Sequence, residues 1–162
     1  MRGADDLRGR MVEVLQFELH GQKYGIPVAD ADEILRAVSI TPLPNAPRII
    51  EGVIDIRGSV TPVLDIRARF GMPAKAVETS DHLIVARAGA RRVAIRADQV
   101  QGLVGLSPAD IASVTSVTTK IDHISGVAKL PDGLVILHDL HTFLSEAESE
   151  ALDASMSVPA AS

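Results

Sequence analysis

His138 and His141 flank Asp139, with His123 upstream, and two imidazoles three residues apart on a helical turn are spaced to ligate zinc. The competing reading is that Asp139 caps a helix and that the two His are surface or partly buried residues that bind no metal. Nucleophilic catalysis has less support, because no serine sits in a Gly-x-Ser-x-Gly elbow. Gly102-Leu103-Val104-Gly105 lacks the third glycine and the lysine of a phosphate cradle. There is no cysteine, which excludes disulfides, thiolate metal sites and thiol catalysis together. The carboxylates fall mainly at caps, turns and helix surfaces, where structural roles suffice. The expectation is no catalysis, no cofactor and no metal. A small β-barrel enzyme with an acid and a base on distant strands, or a metal-binding protein, is the alternative.

The arginines carry more information. Arg87, Arg91, Arg92 and Arg96 surround a predicted hairpin and are expected to form a solvated face. Arg57 differs, because it stands at the tip of a hydrophobic hairpin between Val53-Ile54-Asp55-Ile56 and Gly58. Arginine is enriched at interface hot spots, since its planar fork binds carboxylates while its stem packs on apolar surface. An ordinary charged turn residue is the alternative at this position.

The elements that must position these residues are mostly strands. Val12, Val14, Leu15, Phe17 and Leu19 form a first apolar run, and Gly21 turns the chain into Tyr24, Ile26 and Val28. Asp30 followed by Glu33 has the form of a capping box, predicting a helical turn over 31–35. Ile40-Thr41-Pro42-Leu43-Pro44 must be extended, because each proline biases its predecessor away from the α region. A second hairpin joins 52–56 to 60–64 through Arg57-Gly58-Ser59, with Pro62 best placed at an edge or bulge. Asp65 and Gly71 bracket a short helix over 66–70. The polar stretch 73–81 reads as a linker.

Beyond it the same elements return. Leu83-Ile84-Val85, Gly89, Val93 and Ile95 echo the first hairpin. The stretch 52–70 aligns without gaps on 126–144, so that Gly52 matches Gly126, Val63 matches Leu137 and Asp65 matches Asp139. The repeat favours the capping role for Asp139, since Leu64 and Arg67 stand where the second half has His138 and His141. It also predicts two related small barrels. Ser107-Pro108-Ala109-Asp110 predicts a helix over 109–114, and the spacing of Leu140, Phe143, Leu144, Ala147, Ala151 and Leu152 predicts a closing helix over about 140–152. The expected organisation is a mobile arm over 1–10, a folded unit over 11–152 and a flexible tail over 153–162.

Composition sets outer limits. A hydrophobic fraction of 46% in 162 residues is ample for a core. A formal charge of -5 and 2% aromatic residues argue against nucleic acid as a partner. No apolar run approaches the roughly 20 residues that span a bilayer, and 1–10 lack the apolar core of a signal peptide. A cytoplasmic protein without membrane insertion is expected.

Taken in order, several segments are similar to the CheW family of chemotaxis coupling proteins. They are Phe17-Glu18-Leu19, Tyr24-Gly25-Ile26-Pro27-Val28, Glu33-Ile34, Ile40-Thr41-Pro42-Leu43-Pro44, Gly52-Val53-Ile54-Asp55-Ile56-Arg57-Gly58, Pro62-Val63-Leu64-Asp65-Ile66-Arg67 and Gly126-Val127-Ala128-Lys129-Leu130. The resemblance covers about 14–144. It implies an all-β fold of two intertwined five-stranded SH3-like β-barrels around a shared hydrophobic core, with short helices and a C-terminal helix. It also implies an adaptor that joins the regulatory domain of the histidine kinase CheA to the cytoplasmic tips of chemoreceptors, recruited to membrane-associated arrays. A pathway governing pili or surface behaviour is the alternative within the family.

By the same resemblance the partner-binding residues are Glu33, Ile34, Gly52, Val53, Asp55, Ile56, Arg57 and Gly58, with Leu103 near a receptor-facing groove. Gly52 is expected to shape the backbone rather than touch a partner. The chain departs from the family pattern at Asp55, where asparagine is usual, at Ala31, where a larger apolar residue is common, and over 113–120, which lacks the usual prolines.

Overall fold

A computed structural model describes residues 12–36, 38–113, 124–131 and 133–157. The expected arm over 1–10, His123 and the last five tail residues lie outside these. Eleven strands dominate the described residues: β1 (Val12–Leu19), β2 (Gln22–Pro27), β3 (Ala31–Arg36), β4 (Ile50–Ile56), β5 (Ser59–Leu64), β6 (His82–Ala88), β7 (Arg91–Ala97), β8 (Gln99–Leu106), β9 (Ile111–Ser113), β10 (Ile124–Leu130) and β11 (Gly133–His138). Two α-helices join them, α1 (Ile66–Arg69) and α2 (Glu146–Ser157).

The strands form two sheets, ordered β8-β1-β2-β11-β10-β9 and β3-β6-β7-β5-β4. Both are built to one plan. In each, an antiparallel hairpin lies between a single strand on one side and a second hairpin, joined in parallel, on the other. The three-residue β9 gives the first sheet a sixth strand, and its counterpart in the second is the single bridge between Thr41 and Val53. The central hairpins are exchanged between the halves: β1–β2 sits among late strands, and β6–β7 among early ones.

Equivalent irregularities confirm the repeat. The β4–β5 ladder slips between Ile50 and Gly52, and the β10–β11 ladder slips between Ile124 and Gly126. Asp65 caps α1 by accepting from the Ala68 N–H at 3.2 Å, and Asp139 caps a 3-10 turn (Leu140–Thr142) by accepting from the His141 N–H at 3.0 Å.

The alternation of side chains along a strand then explains the unbroken apolar runs. Leu83 and Val85 face the core of the second sheet with Ile54, Ile56, Val63 and Ala94. Ile84 and Ala86, from the opposite face of β6, enter a central core with Leu15, Phe17, Leu19, Tyr24, Ile26, Leu64 and Ile95. Val14, Leu106, Ala128, Val135 and Leu137 fill the first sheet. The central strands are therefore buried on both faces.

Four local expectations are corrected. The segment 31–35 is strand, not helix; after a 3-10 turn (Val28–Asp30) the chain pairs along β6, and Glu33 spends its carboxylate on arginines rather than on a cap. Ser107 does cap a turn, but that turn is 3-10 (Pro108–Asp110) and leads into β9 instead of a helix to 114. The closing helix starts at Glu146 and continues to Ser157, past the expected end of the folded unit. Its true start was written in Ser145-x-x-Glu148, a capping box in which each residue accepts the other's backbone N–H, at 3.0 and 2.9 Å. Finally, Arg96 is not solvated. It is 7% exposed and holds Glu51, Asp81 and the carbonyl oxygens of Lys75 and Ala76, so that 73–81, which forms no helix or strand, is pinned to β7 and β4. Burial disfavours its charge, but Glu51 and Asp81 together raise its affinity for the proton.

Asp98 is the matching anion. Between β7 and β8 it accepts from Arg67, from Lys75 at 3.1 Å and from the His20 backbone N–H at 3.0 Å, and its own N–H donates to Glu18. It thereby ties the β1–β2 turn of one sheet to the helix that follows β5 of the other. Burial pushes its carboxyl up, yet these donors outweigh burial and bring it from 3.8 to about 2. A depressed folded value stabilises above the unfolded value and is lost as pH falls through the folded one, so Asp98 should contribute about 2 kcal/mol above pH ~4. Urea titrations should show Asp98→Asn destabilised at pH 7, with the gap to wild type narrowing by about that amount between pH ~4 and pH ~2; a constant gap would contradict the assignment.

Two glycines make a second comparison. A Cβ on Gly52 would lie 2.3 Å from the Thr41 carbonyl oxygen and 2.8 Å from Ile40 Cγ2, whereas one on Gly58 meets nothing within 4 Å. Gly52→Ala should therefore cost about 1–3 kcal/mol by displacing the Thr41 bridge, and Gly58→Ala only the smaller strain of its positive φ, roughly 1 kcal/mol; chemical denaturation of both variants ranks them.

Candidate partner-docking site

The β4–β5 connection is a two-residue turn. Arg57 at φ 50° and Gly58 at φ 88° give the positive pair that matches the twist of a tight hairpin. Glycine adopts this readily, but an arginine does so at a cost. Asp55 Oδ1 accepts from the Gly58 N–H at 2.7 Å and closes the turn. An asparagine carbonyl oxygen would serve equally, so the departure at Asp55 leaves the hairpin intact and adds a negative charge beside it. Ser59, expected in the turn, begins β5 instead. Pro62 sits opposite Val53, whose N–H and C=O both go to Thr41, and the β5–β7 pairing begins only at Val63. Its missing donor therefore interrupts no ladder.

From this tip Arg57 reaches the far edge of the same sheet. Its Nη1 and Nη2 donate to Glu33 Oε1 and Oε2 of β3 at 3.3 and 2.5 Å. Since β3 and β4 are the two edges of the sheet, this forked pair brings the edges together as in a closed barrel. The hydrogen bond from Arg57 holds the Glu33 carboxyl below the usual carboxylate range. Arg57 is 67% exposed, so the pair is presented to solvent rather than spent on the core. Exposed apolar side chains occur on the neighbouring strand positions: Ile34 follows Glu33 on β3, and Val60 stands opposite Asp55 on β5.

The residues singled out in the sequence thus divide. Glu33 and Arg57 meet at the hairpin tip, where Asp55 ties down Gly58, whereas Ile34, the residue after Glu33 in the regular part of β3, points to the opposite face of the strand. Gly52 and Ile56 are buried and Val53 half-buried, so Gly52 and Ile56 support the hairpin from beneath. Leu103 belongs to the other sheet, on the edge strand β8, and is exposed. It occupies there the place Ile34 holds on β3: Ile34 pairs with Ile84, and Leu103 with Leu15. The exposed Leu134 likewise repeats Val60. The two barrels present related apolar faces, but Gly102 and Pro131 stand where the first has Glu33 and Arg57.

Residues that sequence reasoning missed are Val60, Asp32 and Arg92. Arg92 donates to Glu33 at 3.0 Å, and nothing in a run of charges around a hairpin distinguishes it from a solvated neighbour. Arg91, assigned to the same solvated face, binds Ser149 at 3.2 Å and Asp153 of α2. The histidines are separated too. His138 is 1% exposed, deeper than expected, with its ring 4.8 Å from that of Tyr24 and packed against Phe70 and Phe143. His141 lies at the surface with Nε2 3.8 Å from Asp30. Among the described residues no group of three or more His, Cys, Asp or Glu side chains is placed to hold a metal ion, and no helix is long and apolar enough to cross a membrane.

Comparison with known proteins agrees with this geometry. The family model of the CheW-like domain matches residues 13–148. The chemotaxis protein CheW of Klebsiella aerogenes is 30% identical over 143 residues, covering 87% of this chain and 86% of that protein. Protein FrzA of Myxococcus xanthus is 34% identical over 99 residues, 61% of this chain and 62% of that one. The crystal structure of the scaffolding protein TtCheW from Thermoanaerobacter tengcongensis superposes with a TM-score of 0.77 at 27% identity, covering 85% of this chain and 95% of that one. With its repeated hairpins, its two related sheets and a family match over most of its length, this chain belongs to the CheW-like domain family.

Proposed function

We propose that this chain is a non-catalytic chemotaxis coupling protein that links the histidine kinase CheA to chemoreceptors. The observation that carries the reading is the Arg57–Glu33 pair, a two-thirds exposed cation held at a two-residue hairpin tip, with the exposed Ile34 and Val60 on the strands that carry it. Such a face combines a planar donor with adjoining apolar surface, the composition of an interface anchor. The kinase's regulatory domain would dock there. The face around Leu103, on the other sheet and without a counterpart of the Arg57–Glu33 pair, would take the receptor's cytoplasmic tip. Two dissimilar faces on one rigid body let the protein set the geometry between its partners without a chemical step, in the cytoplasm at receptor arrays.

Binding assays with the purified kinase regulatory domain and with receptor cytoplasmic fragments test this directly. Failure of the folded protein to bind either would end the adaptor reading. Arg57→Glu should weaken kinase-domain binding by at least about tenfold and leave the melting temperature within about 2 °C, because exposed turn substitutions cost little stability. Intact binding with a large loss of stability would make Arg57 an ordinary turn residue.

A further inference from the structure

The β3–β6 ladder slips between Ala31 and Glu33, so Asp32 is an extra residue in the strand. In an unbroken strand two successive side chains point to opposite faces. The bulge instead brings two successive carboxylates to one guanidinium: Arg92 Nη2 lies 3.0 Å from Glu33 Oε2, and Arg92 Nε lies 3.7 Å from Asp32 Oδ2. Glu33 continues to Arg57, and Asp32 to Arg87 Nε at 3.5 Å. The result is a chain of alternating sign, Arg57, Glu33, Arg92, Asp32, Arg87, whose two cationic ends are 67% and 66% exposed. The equivalent bulge in β8 leaves Gln101 as the extra residue, with Gly102 beside it, so the paired carboxylates belong to this half alone.

We infer that Arg92 is a positioning residue of the docking face: by gripping Glu33 from behind while Asp32 holds Arg92 in turn, it fixes the direction in which the Arg57 guanidinium leaves the hairpin. The inference rests on the docking reading for its purpose but not for its geometry. Arg57 alone could follow Glu33 through several rotamers. With Glu33 Oε2 shared between two arginines, the carboxylate has one orientation in which both bonds are made, and Arg57 is ordered before any partner arrives. Exposed ion pairs add little to fold stability, whereas ordering a long side chain in advance removes a cost from association.

Arg57 Nε–H heteronuclear NOE in the free protein reads the positioning. It should approach backbone values in the wild type and fall in Arg92→Gln, with the melting temperature unchanged within about 2 °C. Arg92→Lys, which keeps the charge but cannot span both carboxylates, should loosen Arg57 as well. An Arg57 equally ordered in both variants would overturn the inference. Binding reads its consequence. Arg92→Gln should weaken the kinase regulatory domain about three- to tenfold and cost nothing further in an Arg57→Gln background. An equal cost in both backgrounds would mean that Arg92 meets the partner itself, and the positioning role would fall. If the wild type binds no kinase domain, the docking reading fails while the NOE comparison still decides the positioning.

Discussion

Each sheet takes its central hairpin from the opposite half of the chain, and every other feature of the molecule follows from that exchange. Because β1–β2 completes a sheet with β8, β10 and β11, while β6–β7 completes one with β3, β4 and β5, neither barrel is a separable domain. The outer faces of the exchanged hairpins meet in the central core, where Phe17, Leu19 and Ile26 pack with Ile84, Val93 and Ile95. Fixing the barrels against each other in this way gives their two surface faces a constant relation, which is what the proposed coupling role requires.

Charges are placed where the exchange leaves polar backbone and crossing chain to be fastened. Asp98 and Arg96 both hold the segment 73–81, Asp98 through the Lys75 ammonium and Arg96 through Asp81 and the Lys75 carbonyl oxygen, and fasten it to Arg67 and Glu51. These pairs are largely buried, and losing one member would leave its partner charged in a low-dielectric setting. The Arg57–Glu33 pair has the same chemistry and a different energetic meaning, since it is open to water. Its contribution lies in orientation. One residue type thus locks the fold in one place and displays a donor in the other, and burial separates the roles.

Much of this was legible in the residues. Gly52 and Gly126, Asp65 and Asp139 marked the repeat because a bulge and a cap each demand a particular residue type at a particular place. Arg57-Gly58 marked the tight hairpin for the same reason. Pairing was not legible in the residues: apolar runs name the strands but not their neighbours, so intertwined barrels were implied by the family resemblance alone, without the identity of the exchanged hairpins. The capping signal at Asp30 misled because a local hydrogen bond lost to a whole ladder along β6. Arg96 was misplaced because its carboxylate partners lie 45 and 15 residues away, a separation at which a charge carries no trace of its burial. Arg92 was read as solvated because its partners Glu33 and Asp32 lie in another strand, and the bulge that adds Asp32 leaves no local sign in the sequence.

The exchange also imposes an order on synthesis. As the chain leaves the ribosome, β1–β2 emerges first but finds its lateral partners only when β8 and then β11, ending at His138, have followed. The second sheet can assemble once β7 is out, at Ala97. The earliest-made hairpin is therefore the last to be enclosed, and its Phe17, Leu19 and Ile26 must wait in the nascent chain while non-local contacts form. A scaffold made rigid by interleaving its halves is most exposed to misassembly during its own production.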